Sequence, residues 1–456
     1  MRKMTNFLKQ LRNCTALFFT CVLHANSYEI KVQPHWLNTM QAATPSDISA
    51  KNELRRISHA YAQASNKMDD DAANLASTTT HIDPEEIPAD LAYWIADIKL
   101  DEHGVKIVEF GDGNFAGYKV LDNMYYPGKM WGTVWLNLLK IGIPIWYVGD
   151  YASNPGVVAW SSFKANGGSY SPSLDILQRN VEFLRHAKRR TPLFPAKITD
   201  YQGIIVLKRY NPPMESFERF IKKYPDFLIL NDTSTMHVSD KRLTDSLFNT
   251  EELKAFRPKA IIMPKEYTET LAQEILTQID ANWMVIKPIN SGRGNGIIMT
   301  SRENLDKELR KVLIDNKNNL SKNNEVSFKP DPPLSYEYWK GDRNTHFLVE
   351  EFAESKAITV NNKPYDATMR VIFMMRYEEG TIKMDYLDAY WKRPIKALNE
   401  RGTFKEKHIS KHAPSYEESQ GLAVSSEDFA LVQKSMSQAL PQVYWNILSS
   451  YYGQNQ

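Results

Sequence analysis

The clearest pattern in the chain is a pair of short apolar runs joined by a polar, glycine-rich turn. Trp283 to Ile286 form the first run, Lys287-Pro288 ends it, and Ile297 to Met299 form the second. Two short apolar runs around such a turn predict a β-hairpin. A Walker A loop or a dinucleotide fingerprint would instead open a helix after its last glycine. The pattern therefore predicts a loop that caps a hairpin and can fold over a ligand as a flap.

Helical periodicity follows this hairpin and returns at the end of the chain. Thr300 and Glu303 have the spacing of a capping box. Beyond them, apolar residues at helical spacing predict one buried face, formed by Leu305, Leu309, Val312 and Leu313. Residues 427–452 predict a packed terminal helix for the same reason.

The region upstream of the hairpin predicts a small parallel α/β unit. Residues 105–110 and 141–148 are apolar runs typical of strands, and residues 131–139 between them have helical periodicity. A second strand–helix–strand set covers residues 203–230. Strands that alternate with helices are typical of a parallel sheet. Residues 26–100 show helical patches without a strong period, so we expect a variable, mainly helical extension there.

Composition is that of an ordinary folded protein. The 456 residues are 42% hydrophobic and 24% charged, and the formal net charge is +2. This length suggests two to three compact units, and the composition excludes extended disorder as the default. The nearly neutral charge gives no case for a nucleic-acid or membrane-surface partner. Composition leaves the oligomeric state open.

The glycine-rich turn also carries candidate chemistry. Gly292, Gly294 and Gly296 stand at alternate positions, with Lys287 and Arg293 beside them. Glycine adopts positive φ at little cost and leaves backbone N–H groups uncovered, so such a loop can wrap a phosphate chain. The two cations would neutralise part of its charge. The alternative is a hairpin turn that binds no ligand.

Three further motifs follow the hairpin in a fixed order. Residues 347–352 are an apolar run that ends in Glu350-Glu351-Phe352, Asp366 precedes Arg370 by four positions, and residues 389–393 end in Lys392-Arg393. In this order the motifs resemble the ATP-grasp superfamily, over about residues 225–395. The likeness is greatest to the branch that joins amino acids to peptides, such as the ribosomal-protein glutamate ligases and the tubulin–tyrosine ligases.

The resemblance implies a role in ATP binding or phosphoryl transfer for each motif. It implies phosphate contacts from Lys287, Lys265 and the amides of Gly292, Gly294 and Gly296, an adenine-binding hinge at Glu350, Glu351 and Phe352, a ribose contact from Glu354, and γ-phosphate contacts from Arg370 and Arg393.

Two of these roles have alternatives that the sequence leaves open. Lys241 could take the place of Lys265, although the family pattern gives it a structural role. Arg370 could form a surface ion pair with Asp366 or Glu378 instead of a γ-phosphate contact.

Mg²⁺ is the expected cofactor beside ATP, but its ligand motif departs from the family pattern. Family members usually close with Glu-x-Asn, and none follows Arg393. Asp385 and Asp388 are the nearest carboxylates, and their spacing gives opposite side-chain parity on a regular strand, so at most one faces the nucleotide. Asp388 is the expected ligand, because Mg²⁺ takes oxygen donors. We interpret His408 and His412 as part of a solvated polar stretch rather than a zinc site.

The predicted architecture is an α/β ATP-grasp fold of α+β lobes, with a small parallel α/β domain before it and an N-terminal helical extension. The predicted segments are a signal-like or disordered leader at 1–25, a helical, variable region at 26–100, the α/β domain at 101–235, an N-lobe with the flap and a polar insert at 236–345, and a C-lobe with the terminal helix at 346–456.

The resemblance implies an ATP-dependent ligase that joins a carboxylate to an amine through an acyl phosphate. Its partners would be ATP and a small carboxylic acid, an amino acid or a peptide. The alternative is a nucleotide-binding regulatory or scaffolding protein on a degenerate ligase fold. ATP chemistry indicates a cytoplasmic protein. The basic and then apolar N-terminus, with Cys14 and Cys21 in its apolar part, instead has the shape of a signal peptide and would favour export.

Overall fold

The computed structural model describes most of the chain from residue 84 onward. The described residues are 27–31, 84–111, 120–121, 124–125, 129–149, 163–188, 192, 194–208, 214–291, 294–315, 335–409 and 421–453. The predicted leader and, from the predicted helical extension, residues 26 and 32–83 lie outside these residues. The described parts of that extension are mainly strand rather than helix, at 27–31 and 90–100, so the helical prediction is wrong there.

Strands and helices of the described residues are numbered in chain order. The strands are β1 Ser27–Lys31, β2 Asp90–Asp101, β3 Gly104–Gly111, β4 Ile145–Gly149, β5 Ser169–Ser171, β6 Gly203–Lys208, β7 Phe227–Ile229, β8 Ala260–Pro264, β9 Trp283–Pro288, β10 Ile298–Ser301, β11 His346–Glu351, β12 Ile358–Val360, β13 Lys363–Tyr365, β14 Thr368–Glu378, β15 Thr381–Lys392 and β16 Gly421–Ala423. The helices are α1 Lys129–Leu139, α2 Leu174–Leu177, α3 Val181–His186, α4 Met214–Lys223, α5 Thr235–Ser239, α6 Lys241–Ser246, α7 Glu251–Lys254, α8 Leu271–Gln278, α9 Leu305–Arg310, α10 Ser335–Gly341, α11 Phe404–His408 and α12 Ser426–Gly453.

A six-stranded antiparallel sheet forms the centre of the fold. Its order is β1-β15-β14-β2-β3, with β16 beside β15. The middle strands β2 and β14 are buried along almost their whole length. One face packs on the long helix α12, and Trp94 lies at the middle of that contact. Its ring meets Phe373 and Tyr444 edge-on, and its Nε1 donates to Ser234 Oγ at 2.9 Å.

The other face of this sheet changes character along its length. Over one half, apolar residues such as Tyr93 and Ile372 pack against α1 and the parallel sheet, where Trp135 and Tyr147 meet edge-on. Over the other half the same face carries charged residues. Because side chains alternate along a strand, this division is set by which residue stands at every second position.

The predicted parallel α/β unit is present, but its membership differs from the expectation. Its sheet has the order β5-β4-β6-β7 with parallel pairs throughout. The strand predicted at residues 105–110 is β3, which pairs antiparallel with β2 in the central sheet instead. Asp101 Oδ1 accepts from the amides of His103 and Gly104, at 2.7 and 3.0 Å, and closes that hairpin. The predicted boundary between residues 100 and 101 therefore falls inside a hairpin.

The predicted glycine-rich hairpin is confirmed as β9 and β10, which belong to a second antiparallel sheet of order β10-β9-β11-β8. Helices α8 and α9 cover one face, and the predicted apolar side of α9 lies in that core. The predicted capping box does not form. Thr300 belongs to β10, and a short 3₁₀ turn, Arg302–Asn304, precedes the helix without a side-chain cap.

The mixed α/β fold class predicted from the sequence is confirmed by these antiparallel and parallel sheets. The terminal helix is also confirmed as α12, which runs for 28 residues through Pro441. Within the described ranges, no helix is both long and apolar enough to cross a membrane.

Replacing Trp94 by alanine is expected to destabilise the fold by about 3–5 kcal/mol, because it removes a buried ring from the centre of the α12 contact. The measurement is the free energy of unfolding in urea. Leu431→Ala on α12 is the control, since Leu431 is 42% exposed and its loss should change stability by less than about 0.5 kcal/mol. Equal losses for the two variants would contradict a core centred on Trp94.

Candidate functional site

One face of the β9–β11 sheet turns away from its helical core and toward the central sheet. Met284, Ile286 and Val349 lie in the core, so the alternate residues Lys287 and Glu350 project from the opposite face. Two further residues of that face, Val285 and Leu348, are also buried. Lys287 Nζ lies 3.4 Å from the carbonyl oxygen of Val108 in β3. The two sheets therefore meet here, and the region where these two faces oppose each other is called the cleft below.

The sheet β10-β9-β11-β8 is called the N-lobe below; it includes β11, which the sequence analysis assigned to the C-lobe. Its wall of the cleft carries one buried lysine, Lys287, and one half-buried lysine, Lys241, from α6 beside it. Lys287 forms an ion pair with Glu350, and both side chains are under 10% exposed. Lys241, at the start of α6, donates to the carbonyl oxygens of Ile289 (at 3.1 Å) and Ser291 at the base of the glycine-rich loop. Burial lowers the pKa of Lys241, and Lys287 lowers it further, whereas the carboxylate of Glu350 opposes the change. The two ammonium groups therefore share one electrostatic environment.

The central-sheet wall carries a row of polar residues on four adjacent strands. Glu109, Asp97, Arg370 and Tyr390 are successive cross-strand partners from β3 to β15, so their side chains share one face. Arg370 binds Asp97 through Nε and Nη2, each at 2.7 Å, and Lys392 pairs with the same carboxylate. Burial alone would raise the pKa of Asp97, but the two cations outweigh it and hold this pKa well below its usual range.

Glu109 links the two walls electrostatically. Its carboxylate attracts Lys241 from one wall and Arg370 and Lys392 from the other. Burial lowers the pKa of Lys392 to about 8, repulsion from Arg370 adds to the shift, and the attraction of Asp97 opposes it. Cations of both sheets thus converge on one region.

Two buried polar atoms of the cleft have no hydrogen-bond partner among the described residues. They are Nη1 of Arg370 and Oε2 of Glu350, and the Tyr390 hydroxyl interacts with the Arg370 side chain. Buried polar groups are almost always paired in folded proteins, so unpaired atoms in a charged cleft indicate a place for a ligand.

The glycine-rich loop needs glycine at both described positions. Gly294 and Gly296 have φ of +69° and +71°, which strain any other residue. A Cβ on Gly296 would lie 2.5 Å from the Pro288 ring. Trp339 Nε1 donates a hydrogen bond to the carbonyl oxygen of Gly296 at 2.8 Å. Gly292 and Arg293 lie outside the described residues.

The predicted adenine hinge is built into the backbone of the N-lobe. The amide of Glu351 donates to Lys259 O at 2.8 Å, and that of Phe352 donates to Trp283 O at 3.0 Å. These two amides are therefore engaged with neighbouring strands. Glu354 is exposed, and its charge acts on the buried ammonium of Lys99.

Two predicted cations lie apart from the rest. Lys265 Nζ donates to Asp342 O at 2.7 Å and lies over the Trp339 ring, on the core side of its sheet. The structure therefore brings Lys241, and not Lys265, to Lys287. The guanidinium of Arg393 stacks 5.0 Å from the centre of the Tyr365 ring.

The predicted parity of the two candidate metal ligands is wrong. The β14–β15 register places Asp388 opposite Ile372 and Asp385 opposite Met374, which are two apart on β14 and share a face. An extra residue at Leu387 forms a β-bulge, which restores both carboxylates to the face of Arg370. Asp388 Oδ1 accepts from the Ala389 amide at 2.8 Å, and Asp385 pairs with Arg376 at 2.6 Å.

No group of three metal-ligating side chains occurs in the part of the chain that the structure describes. Asp97 and Glu109 are carboxylates on adjacent strands that face the convergent cations, and sequence reasoning missed both. The sequence pattern that could have indicated these two carboxylates was weak. Asp97 and Lys99 interrupt an otherwise apolar strand, and charges are rarely buried there without a partner.

His408 is buried rather than solvated, contrary to the expectation. Its Nδ1 lies 2.7 Å from Asp366 Oδ2, which also accepts from Lys99 Nζ at 2.9 Å. Asp366 is therefore not the partner of Arg370, whose carboxylate is Asp97. His412 lies outside the described residues.

No protein-family model and no curated protein matches the chain. Among solved structures, it is similar to a glutathione synthetase-like effector from Globodera pallida, with a TM-score of 0.33 and 11% identity over 79% of this chain and 87% of that one. It is also similar to a protein assigned as a γ-glutamylcysteine synthetase from Methylobacillus flagellatus, with a TM-score of 0.36 and 10% identity over 91% of this chain and 97% of that one. A D-cycloserine synthetase has a TM-score of 0.31 and 11% identity, over 66% of this chain and 82% of that one. All three are named as synthetases or as synthetase-like. At TM-scores below 0.5, these likenesses carry no argument about the activity of this chain.

Lys392 is expected to make stability depend on pH. Its pKa is about 8 in the folded protein and ordinarily 10.5. Between these values the unfolded chain binds more protons, so the free energy of unfolding should rise with pH, by roughly 3 kcal/mol in all. Urea denaturation of the wild type and Lys392→Met from pH 7 to 10.5 measures this as a growing difference between them. A constant difference would contradict the lowered pKa of Lys392.

Alanine at Gly294 and at Gly296 should separate backbone strain from crowding. A Cβ at Gly294 would make only ordinary van der Waals contacts, the nearest at 3.9 Å to Ile409, so only the positive φ should cost stability, about 1–2 kcal/mol. Gly296→Ala also clashes with Pro288, which should add about 1–3 kcal/mol. Urea denaturation of both variants tests this. Equal losses would show that the loop yields at Gly296.

Proposed function

We propose that this protein is an ATP-dependent ligase that joins a carboxylate to an amine through an acyl phosphate. The observation that carries the proposal is the convergence of two buried and two half-buried cations, from two sheets and the start of α6, beside a glycine-rich hairpin. They are Lys241, Lys287, Arg370 and Lys392. A polyphosphate is the common ligand that needs several cations and open backbone amides in one place.

The residues present fit a nucleoside triphosphate. Lys241 and Lys287 would hold the phosphates from the N-lobe, and Arg370 and Lys392 from the central sheet. On the same N-lobe face as Lys287, the buried apolar side chains of Val285 and Leu348 suit a base rather than a charged group. The unpaired Nη1 of Arg370 supports a ligand between the walls.

The carboxylates fit a magnesium ion in part. Asp97 and Glu109 face each other across β2 and β3, and Mg²⁺ commonly takes one or two carboxylates together with substrate phosphates and water. These residues would hold it in place of the predicted Asp388. When bound, the ion would neutralise negative charge on the phosphates.

The chemistry asks little of the side chains beyond charge and position. A carboxylate oxygen of the acid attacks the terminal phosphorus and ADP leaves, and the amine then displaces phosphate from the acyl carbon. Negative charge gathers on the transferred group, so Arg370 and Lys392 would stabilise it electrostatically. A nucleophilic side chain is not required.

A second function, nucleotide binding without turnover, is favoured by a specific observation. Asp97 already occupies Arg370 and Lys392, and Glu350 already occupies Lys287. Cations held by internal carboxylates are less available to charge that develops during a reaction. This arrangement suits a regulatory or scaffolding protein on a degenerate ligase fold.

Nucleotide affinity should depend on Lys287 and Lys241 but not on Lys265. Loss of a charged hydrogen bond costs about 1.5–3 kcal/mol, so Lys287→Met and Lys241→Met should weaken binding of an ATP analogue with Mg²⁺ roughly ten- to hundred-fold. Calorimetry measures this. Lys265→Met is the matched control, because its ammonium pairs with Asp342 instead.

Release of ADP with pairs of amino acids and peptides separates the two functions. A ligase releases ADP with at least one pair, and that release should fall in Arg370→Ala. Tight binding of ATP without ADP release from any pair would favour the regulatory function. Equal affinity losses for all three lysine variants would contradict the placement of the phosphates between the two walls.

A further inference from the structure

The five-residue helix α11 joins the two sheets that form the cleft. Lys405 Nζ donates to the carbonyl oxygen of Ile297, just after the glycine-rich loop, at 3.2 Å. On the other side, His408 Nδ1 lies 2.7 Å from Oδ2 of Asp366, which stands just before β14 of the central sheet. The helix therefore ties the hairpin of the N-lobe to the central sheet.

The ring of Phe404, the first residue of α11, covers the apolar end of the N-lobe face. Side chains alternate along β9, so Trp283 projects from the same face as Val285 and Lys287. Phe404 stacks on the Trp283 ring, with the ring centres 3.7 Å apart and the ring planes at 2°. The ring of Phe352, directly after β11, is centred 5.0 Å from that of Phe404. Lys287 marks the charged end of this face, so Phe404 stands at the opposite end.

This stack leaves no room for a ligand ring on the covered face of Trp283. Carbon atoms of stacked rings are in contact at about 3.5–4.0 Å, so two rings with a flat ring between them would stand about 7 Å apart. Phe404 and Trp283 stand at roughly half that spacing. A flat ring that uses this face of Trp283 must therefore displace Phe404, and with it the helix that joins the two sheets.

Helix α11 is also shaped by bonds within its own segment. Thr403 and Glu406 form a capping box at its start. The amide of Lys396 donates to Glu406 O at 3.0 Å, and Lys407 Nζ donates to Leu398 O at 2.8 Å. These bonds do not depend on either wall of the cleft. The helix can therefore leave the cleft as a folded unit, at the cost of its contacts with the two sheets.

We propose that α11 is an autoinhibitory clasp, which holds Phe404 on Trp283 and keeps the base of a nucleotide from that face until the helix is displaced. The clasp rests on the proposed function, because a nucleotide is the ligand that it excludes. The closed form is the resting state of the empty protein. Since the base binds only the open form, the open fraction limits the apparent affinity for nucleotide.

Phe404→Ala tests the clasp, because it removes the stacked ring and keeps the rest of α11. Calorimetry with the β,γ-imido analogue of ATP and Mg²⁺ should show affinity rising about three- to tenfold, since the closed form loses its aromatic contact. Lys405→Met loosens the clasp from the hairpin side without touching the rings. It should raise the same affinity about two- to fivefold.

Lys407→Met is the matched control on the same helix. Its ammonium bonds to Leu398 within the segment and to neither wall of the cleft. This variant should change the affinity by less than about twofold. Urea denaturation of the three variants checks that each is folded before the affinities are compared.

Hydrogen exchange of the wild type measures displacement of the helix directly. The amide of Ile409 donates to Lys405 O at 3.0 Å at the end of α11. Saturating analogue should speed exchange of the amides of residues 404–409, because opening breaks the contacts that hold the helix in place. Slower exchange with the analogue would make α11 a fixed wall of the binding site and would overturn the clasp.

Affinities of the wild type and Phe404→Ala separate the clasp from the proposed function. Equal or weaker binding by Phe404→Ala, with a wild type that binds the analogue, would overturn the clasp and leave the proposed function standing. Binding by Phe404→Ala alone would support both. Failure of both proteins to bind the analogue would contradict the proposed function, and the clasp with it.

Discussion

The carboxylate of Asp97, shared between Arg370 and Lys392, is the constraint around which the cleft is built. A carboxylate buried in the middle of a sheet is costly unless cations and hydrogen bonds compensate it. Arg370 supplies two bonds of 2.7 Å from the next strand, and Lys392 supplies a second charge. Removing Asp97 would leave two cations without this partner, whereas removing either cation would leave Asp97 paired with the other alone. The central sheet can therefore carry a polar half on one face only while this pairing is complete.

Two β-bulges adapt a regular sheet to this purpose. The register of β2 and β3 shifts beside Val108, and the Val108 carbonyl oxygen meets the Lys287 ammonium of the other sheet. The register of β14 and β15 shifts at Leu387, which turns Asp388 toward the cleft. A bulge re-aims side chains without breaking the sheet, and bulges are frequent beside functional sites. Each of these lies within a few residues of the charged row.

Much of the fold could be predicted from local pattern, and most of the cleft could not. The glycine-rich hairpin and the apolar face after it depend on near neighbours, so periodicity predicts them. β2 was missed because a strand buried on both faces lacks alternation. The pairing of Asp97 with Arg370 joins residues 273 positions apart, which no local pattern records. The parity of Asp388 was wrong because one bulged residue reverses it, and nothing in the sequence marks that residue.

The charge balance of the cleft bears on how a nucleotide would bind. Lys241, Lys287, Arg370 and Lys392 supply four positive charges, and Asp97, Glu109, Glu350 and Asp388 supply four negative ones, so these charges balance. A balanced set cannot neutralise a triphosphate, and each cation must be drawn from an internal partner before it can serve a phosphate. A divalent cation between Asp97 and Glu109 would change this balance, because it would satisfy the carboxylates and free Arg370 and Lys392 together. The internal pairs would then keep the empty cleft stable, and metal and nucleotide would favour each other's binding.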